Sequence, residues 1–311
     1  MQMNRREFLA STAVAAVALN TASPLFAADK PLEIIDTHTH FYDPTRPQGV
    51  PWPPKNDALL YRKVMPADYR AQKVAQPVTA TVVVEASAWA EDNQFILDLA
   101  KDDKFIIGLS GNLKPTDPDF AKNLKRFVAD KKFRGIRVNG RVLAENLQND
   151  AFIADLKRLA DADLEMDVNG PPDTLPAIAE IARKLPTLRI VINHLSNIRI
   201  DGKTVDATWQ KNMEACGKVK HIHAKISGLV EGTGMKDGKA PADAAFYKPQ
   251  LDAMWQAFGS DKLIYGSNWP VSERFASLAT VQQIVHDYFI TKGQKALTAV
   301  MGGNARAVYK V

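Results

Sequence analysis

Cysteine is almost missing from this 311-residue sequence, which has only Cys216. No intrachain disulfide can therefore form, even in an oxidising compartment. The surrounding MEACGKV offers no adjacent basic or acidic partner, so Cys216 reads as a packing residue. Long apolar runs are missing too: the one at 9–19 is too short to span a bilayer and no later segment approaches that length, which excludes stable membrane insertion. No GxGxxG opens a helix, so Gly232 and Gly234 read as lid residues rather than a phosphate cradle. Charge of one sign is not concentrated either. The 40 Lys and Arg against 35 Asp and Glu leave a formal +5, with lysines scattered among acids. That pattern excludes a nucleic-acid partner and suits a small, anionic substrate.

The chain begins with an address. Arg5, Arg6, Phe8 and Leu9 give an RRxFL core followed by a short apolar stretch, which resembles a twin-arginine export signal with a cleavage point after Ala27. Residues 1–27 are expected to be a leader, 28–311 the mature domain, the twin-arginine translocase a transient partner and the periplasm the destination.

Within the mature part, apolar or β-branched runs recur at 33–38, 79–86, 105–110, 133–139, 164–169, 188–194, 221–227 and 262–267. Segments with helical period separate them, for example Phe120, Leu124, Phe127 and Val128, and Asn149 and Asp173 stand where N-caps are expected. Eight strand–helix alternations predict an α/β fold, a single-domain (β/α)8 TIM barrel. Chemistry in such a barrel gathers at the C-terminal ends of its strands. The polar residues do collect there: His38 and His40, Glu85, Arg137 and Asn139, Asp167 and Asn169, His194, Lys225 with Ser227, and Ser267 with Asn268. Two long loops, 42–64 and 229–243, are expected over the same mouth.

The stretch PLEIIDTHTHF places Asp36, His38 and His40 on one strand face, with Asp36 suited to orienting a histidine ring. Two imidazoles side by side can ligate a metal, relay protons or hold a substrate oxygen. Arg137 and Lys225 can hold a substrate carboxylate or pair with internal acids such as Glu85 and Asp167, and Trp52 and Trp89 can wall the mouth. His221 lies at the wrong end of its strand, and His286 sits in a helical pattern. Both read as structural.

These residues together resemble the amidohydrolase-related (amidohydrolase 2) branch of the amidohydrolase superfamily, whose members include sugar lactonases and 2-pyrone-4,6-dicarboxylate lactonase. The resemblance runs from IIDTHTHF through RGIRVN, VINHLS and AKISGL to YGSNWPV and the closing GNARAVYKV. It implies a catalytic group of His38, His40, His194 and Asn268, and a hydrolase opening a lactone or similar cyclic ester. It also implies one divalent metal, zinc first, on His38, His40 and His194, or a metal-independent site. Two positions depart from the family pattern: Asn268 stands where an aspartate is usual, and Asn169 where many relatives have a histidine. An amide is no base and a poor ligand for a divalent cation. Without metal, His38 or His40 would polarise the carbonyl, His194 would position or deprotonate water, and Asn268 would orient it. A metal-dependent decarboxylase and a non-catalytic ligand-binding barrel are the competing readings.

Overall fold

The computed structural model describes residues 31–311, so the twin-arginine reading of residues 1–27 lies outside the described residues. Eight parallel strands follow the chain order: β1 (Ile35–Thr39), β2 (Ala80–Val84), β3 (Ile106–Gly111), β4 (Phe133–Asn139), β5 (Glu165–Asn169), β6 (Arg189–Ile192), β7 (Ile222–Ile226) and β8 (Leu263–Tyr265). Each falls on a predicted run. β1, β2 and β8 are buried at every position because helices cover the sheet outside and side chains fill it inside.

β8 returns to β1 through a parallel bridge between Thr39 and Trp269, where His40 N donates to Trp269 O at 2.9 Å. Buried side chains reinforce this seam. Thr37 Oγ1 donates to Tyr265 O at 2.7 Å, and Asp36 accepts from Ser267 N at 2.8 Å and from the Tyr69 hydroxyl at 2.7 Å. Asp36 therefore does not orient a histidine ring as expected. Its contact with His38 is to the backbone N–H, at 3.0 Å, because its side chain is drawn across the seam.

Asn149 caps the helix Asp150–Asp161, accepting from the N–H groups of Ala151 and Phe152. Asp173 does not cap. It lies inside the 3-10 turn Pro172–Thr174, and the following helix, Leu175–Lys184, opens with proline in its first turn. At the other end of the barrel the C-terminal helix Asn304–Tyr309 packs Val308 and Tyr309 against Ile35, Val82, Val191 and Ile264. Cys216 is fully buried, as its surroundings suggested. Among the described residues, no helix is long and apolar enough to cross a membrane.

Candidate active site

A cavity of about 1130 Å³ opens where the C-terminal ends of the strands converge. His40, His194, Asn268, Arg137 and Trp52 all line it, together with Glu85, Asn169 and a residue unmarked in the sequence reading, Glu231. The barrel brings these together from positions more than 200 apart because successive strand ends lie side by side around one mouth.

The histidines converge. The rings of His38 and His40 lie 5.1 Å apart, and those of His38 and His194 4.2 Å apart. His38 is fully buried just beneath the cavity surface and does not line it. His194 is presented by an unusual backbone. β6 ends at Ile192, and His194, Leu195, Ser196 and Asn197 then form four consecutive left-handed residues with φ between 49° and 58°. Each costs about 1–2 kcal/mol for a non-glycine residue, so this turn persists only through its contacts. Ser196 Oγ donates to Gly170 O, Asn197 Nδ2 donates to Asn169 Oδ1 at 2.9 Å, and Trp209 Nε1 donates to Leu195 O at 2.9 Å. Asn169 is thereby engaged in holding the turn. Ser227, following β7, meets His194 Nδ1 at 2.9 Å, which leaves Nε2 as the free ring nitrogen.

Of the two roles open to Lys225, the structure takes the pairing with Asp167 and not the hold on a substrate carboxylate. It is fully buried, does not line the cavity and cannot reach substrate. Its three donors are spent on Asp167 Oδ2 at 2.7 Å, Thr37 O at 2.8 Å and, more loosely, His38 Nδ1 at 3.4 Å. An ammonium can only donate, so His38 Nδ1 accepts and Nε2 carries the proton. Trp89 is 41% exposed and does not line the cavity itself; it borders a small adjoining pocket with Trp52, Glu85 and Ala86. Trp52 does form wall, with its ring edge-on to His40 at 5.8 Å. Arg137 reaches the cavity already paired, its guanidinium donating to Glu85 Oε1 at 2.8 Å and Glu85 O at 2.9 Å.

Electrostatics keeps the imidazoles neutral. Burial and then the Arg137 charge hold His40 down to about 3, and burial followed by neighbouring cations or rings holds His38 and His194 well below the usual range. Burial acts oppositely on a carboxyl group and pushes Glu231 up to about 7. Glu231 lies on the four-residue helix Leu229–Gly232 after β7, where its Oε1 accepts from Asn268 Nδ2 at 2.8 Å and its Oε2 has no partner. Glu231 lies past the end of β7, outside the strand ends at which the other polar groups stand in the sequence. A lone acid in the apolar run SGLVEG was the available signal.

The expected three-histidine zinc site can be tested on these donors. His38 Nε2 is buried without a partner, but it carries a proton, and His40 Nε2 is met at 3.2 Å by the side-chain amide of Asn268. Among the described residues, no group of three or more His, Cys, Asp and Glu is disposed to hold a metal ion. The donors as arranged do not fit the site.

Comparison with known proteins places this geometry. An L-fucono-1,5-lactonase from Burkholderia ambifaria is 32% identical, over 89% of this chain and 95% of that protein. An L-fucono-1,5-lactonase from Burkholderia multivorans is 27% identical, over 88% and 95%. A crystal structure of an amidohydrolase from Burkholderia multivorans with bound zinc superposes with a TM-score of 0.79 at 25% identity, covering 90% of this chain and 99% of that one. The amidohydrolase family model matches residues 35–311, and with His40, His194 and position 268 gathered at the mouth of an eight-stranded barrel, the chain belongs to the amidohydrolase family.

Proposed function

We propose that this chain is a hydrolase that opens a lactone of a sugar acid or similar organic acid. The observation that carries the reading is the cavity floor, where a neutral imidazole with one free nitrogen, His194, stands with His40 and Asn268 in a mouth large enough for a sugar ring. The lactonase relatives support the choice of a cyclic ester. Arg137 and Asn139 on the wall suit the carboxylate that ring opening creates, and hydroxyl groups before it.

Ser227 Oγ accepts from the His194 N–H, and its contact with Nδ1 admits either direction; in the tautomer with Nδ1 donating, His194 offers a bare Nε2 that positions water and takes its proton as oxygen attacks the carbonyl carbon. His40 cannot polarise the carbonyl through a proton on Nε2, since its Nδ1 proton is committed to Val84 O at 3.0 Å. This corrects half of the sequence reading of that role. His38 Nε2–H is fully buried and off the cavity surface, so it does not reach the carbonyl either. The relative's zinc notwithstanding, the donor arrangement favours turnover by these side chains, and dialysis against a chelator is expected to leave activity intact. The leader at residues 1–27 would place this activity in the periplasm. Replacing Arg5 and Arg6 by lysine and following the protein by cell fractionation tests that part.

The reaction itself is tested by following acid release from a panel of aldono-1,5- and aldono-1,4-lactones alongside carbon dioxide release from aromatic carboxylates. Lactone-dependent acid that falls at least about 100-fold in His194→Ala supports the reading. Carbon dioxide release without lactone turnover overturns it in favour of a decarboxylase. Thermal stabilisation by lactones without any turnover overturns it in favour of a binding protein.

A further inference from the structure

The hydrogen bonds around Asn268 do not close with every group in its ordinary state. His40 Nδ1 lies 3.0 Å from Val84 O, an atom that can only accept, so Nδ1 carries the proton and a neutral ring has a bare Nε2. That nitrogen faces one amide atom of Asn268 at 3.2 Å, and the other amide atom faces Glu231 Oε1 at 2.8 Å. With the NH2 toward Glu231, the amide oxygen meets a bare imidazole nitrogen. With the NH2 toward His40, the amide oxygen meets a carboxylate. Either orientation sets two lone pairs against each other unless the chain holds one extra proton, on His40 in the first case and on Glu231 in the second. The amide's orientation follows the proton, since its oxygen and nitrogen differ only through their partners.

Surroundings decide where the proton stays. No cation pairs with Glu231 among the described residues, and its Oε2 is buried without a partner, whereas His40 lies on the side of the cavity that carries the Arg137 charge. Asn268 after β8, His194 on the turn after β6, Lys236 on its own loop and Arg274 after β8 share the cavity with Glu231, and Tyr247 on the helix Ala244–Phe258 feels its charge. Arg274 is taken by Asp57 at 2.6 Å. The other acids on the wall are engaged: Glu85 by Arg137, and Asp117 by the Asp119 N–H.

We propose that Glu231 is a carboxylic acid at rest, donating to the Asn268 carbonyl, and that it is the general acid that protonates the departing ring oxygen. This rests on the lactone reading. Water oxygen bonds to the carbonyl carbon as its proton passes to His194 Nε2. The bond from that carbon to the ring oxygen then breaks, and the Glu231 proton completes the new hydroxyl. The hydroxy acid leaves, and the proton on His194 returns to Glu231 through solvent. The carboxyl that Asn268 lacks is in this way supplied one amide further out, from a different strand end.

The test uses the mature protein and Glu231→Gln, with Glu231→Asp as a second variant that keeps the acid. Infrared difference spectra of wild type against Glu231→Gln at pH 6 are expected to show a carboxylic-acid carbonyl band, lost as pH rises through about 7. Lactone kcat is expected to be level below that pH and to fall above it, and in Glu231→Gln to drop at least about 100-fold and lose that limb. An aryl ester, whose leaving group needs no proton, is expected to lose less than about threefold in the same variant. Glu231→Asp is expected to restore part of the lactone rate. Absence of the infrared band, or equal losses on lactone and aryl ester, overturns the proposal. The band present with no lactone turnover by wild type removes the lactone reading alone and leaves the resting acid standing.

Discussion

At position 268 the exchange of a carboxylate for an amide changes what the site can do with a proton. Asn268 links His40 to Glu231 and can neither accept a proton nor attract a cation strongly. Restoring a carboxylate with Asn268→Asp would set a second acid about where the amide now contacts Glu231 at 2.8 Å. Two acids that close cannot both ionise readily, so the pH at which kcat falls is expected to rise by at least about one unit. A pH profile of the variant checks it, and an unmoved profile would separate Glu231 from the titration. His40, His194 and Asn268 line the mouth as expected, but only His40 directly follows its strand; His194 and Asn268 lie beyond the ends of β6 and β8 at positive φ, where the period of two no longer fixes the facing side. Lys225 obeys strand parity yet pairs with Asp167 out of reach of the cavity, the other of its two expected roles. It lies two residues before Ser227, one side-chain layer deeper in the barrel, and parity does not tell layers apart.

Among the elements, the turn His194–Asn197 holds four consecutive left-handed residues and delivers the central imidazole. Nothing in VINHLSN announces four left-handed residues. The turn is imposed by partners distant in sequence, Gly170, Trp209 and Ser227, and so was illegible locally. Gly228 is one of the contacts that shape it. It has φ 71°, and a Cβ there would come within 2.7 Å of the His194 side chain. Gly228→Ala is expected to lower stability by about 1–3 kcal/mol in chemical unfolding and to lower lactone kcat more than KM, because it displaces His194. Unchanged kinetics would show that the turn tolerates repositioning. The first long loop is also tied down. Tyr42 and Val64 form an antiparallel bridge, and Arg62 and Arg274 carry ion pairs between the loop and the turn after β8. Its place over the mouth was legible from length and position; these ties were not.

For the whole molecule, the eight-strand order was readable because each β-branched run is followed by helical period and the rules of parallel connection leave few alternatives. The polar interior beneath the site was not. Lys225, Asp167 and Tyr309 form a fully buried network that joins β5, β7 and the C-terminal helix, with Tyr309 donating to Asp167 Oδ1 at 2.9 Å. Lys225→Met strands the Asp167 charge and is expected to cost about 3–5 kcal/mol in unfolding, much of it recovered in the double variant with Asp167→Leu. Glu165, nearby on β5, is fully buried and held above its usual range, first by burial and then by Asp167. The folded protein keeps that proton when the unfolded chain has lost it, so Glu165 makes stability decline as pH rises from roughly 4.3, a slope that Glu165→Gln is expected to reduce. All of this scaffolding serves one mouth, where we propose that a lactone opens between His194 and Glu231. Acid release from aldono-1,5-lactones at pH 6.5 or below, about where Glu231 still holds its proton, by wild type, His194→Ala and Glu231→Gln is the direct measurement. Robust release by wild type with losses of at least about 100-fold in both variants is the predicted result, and full activity in either variant would contradict it.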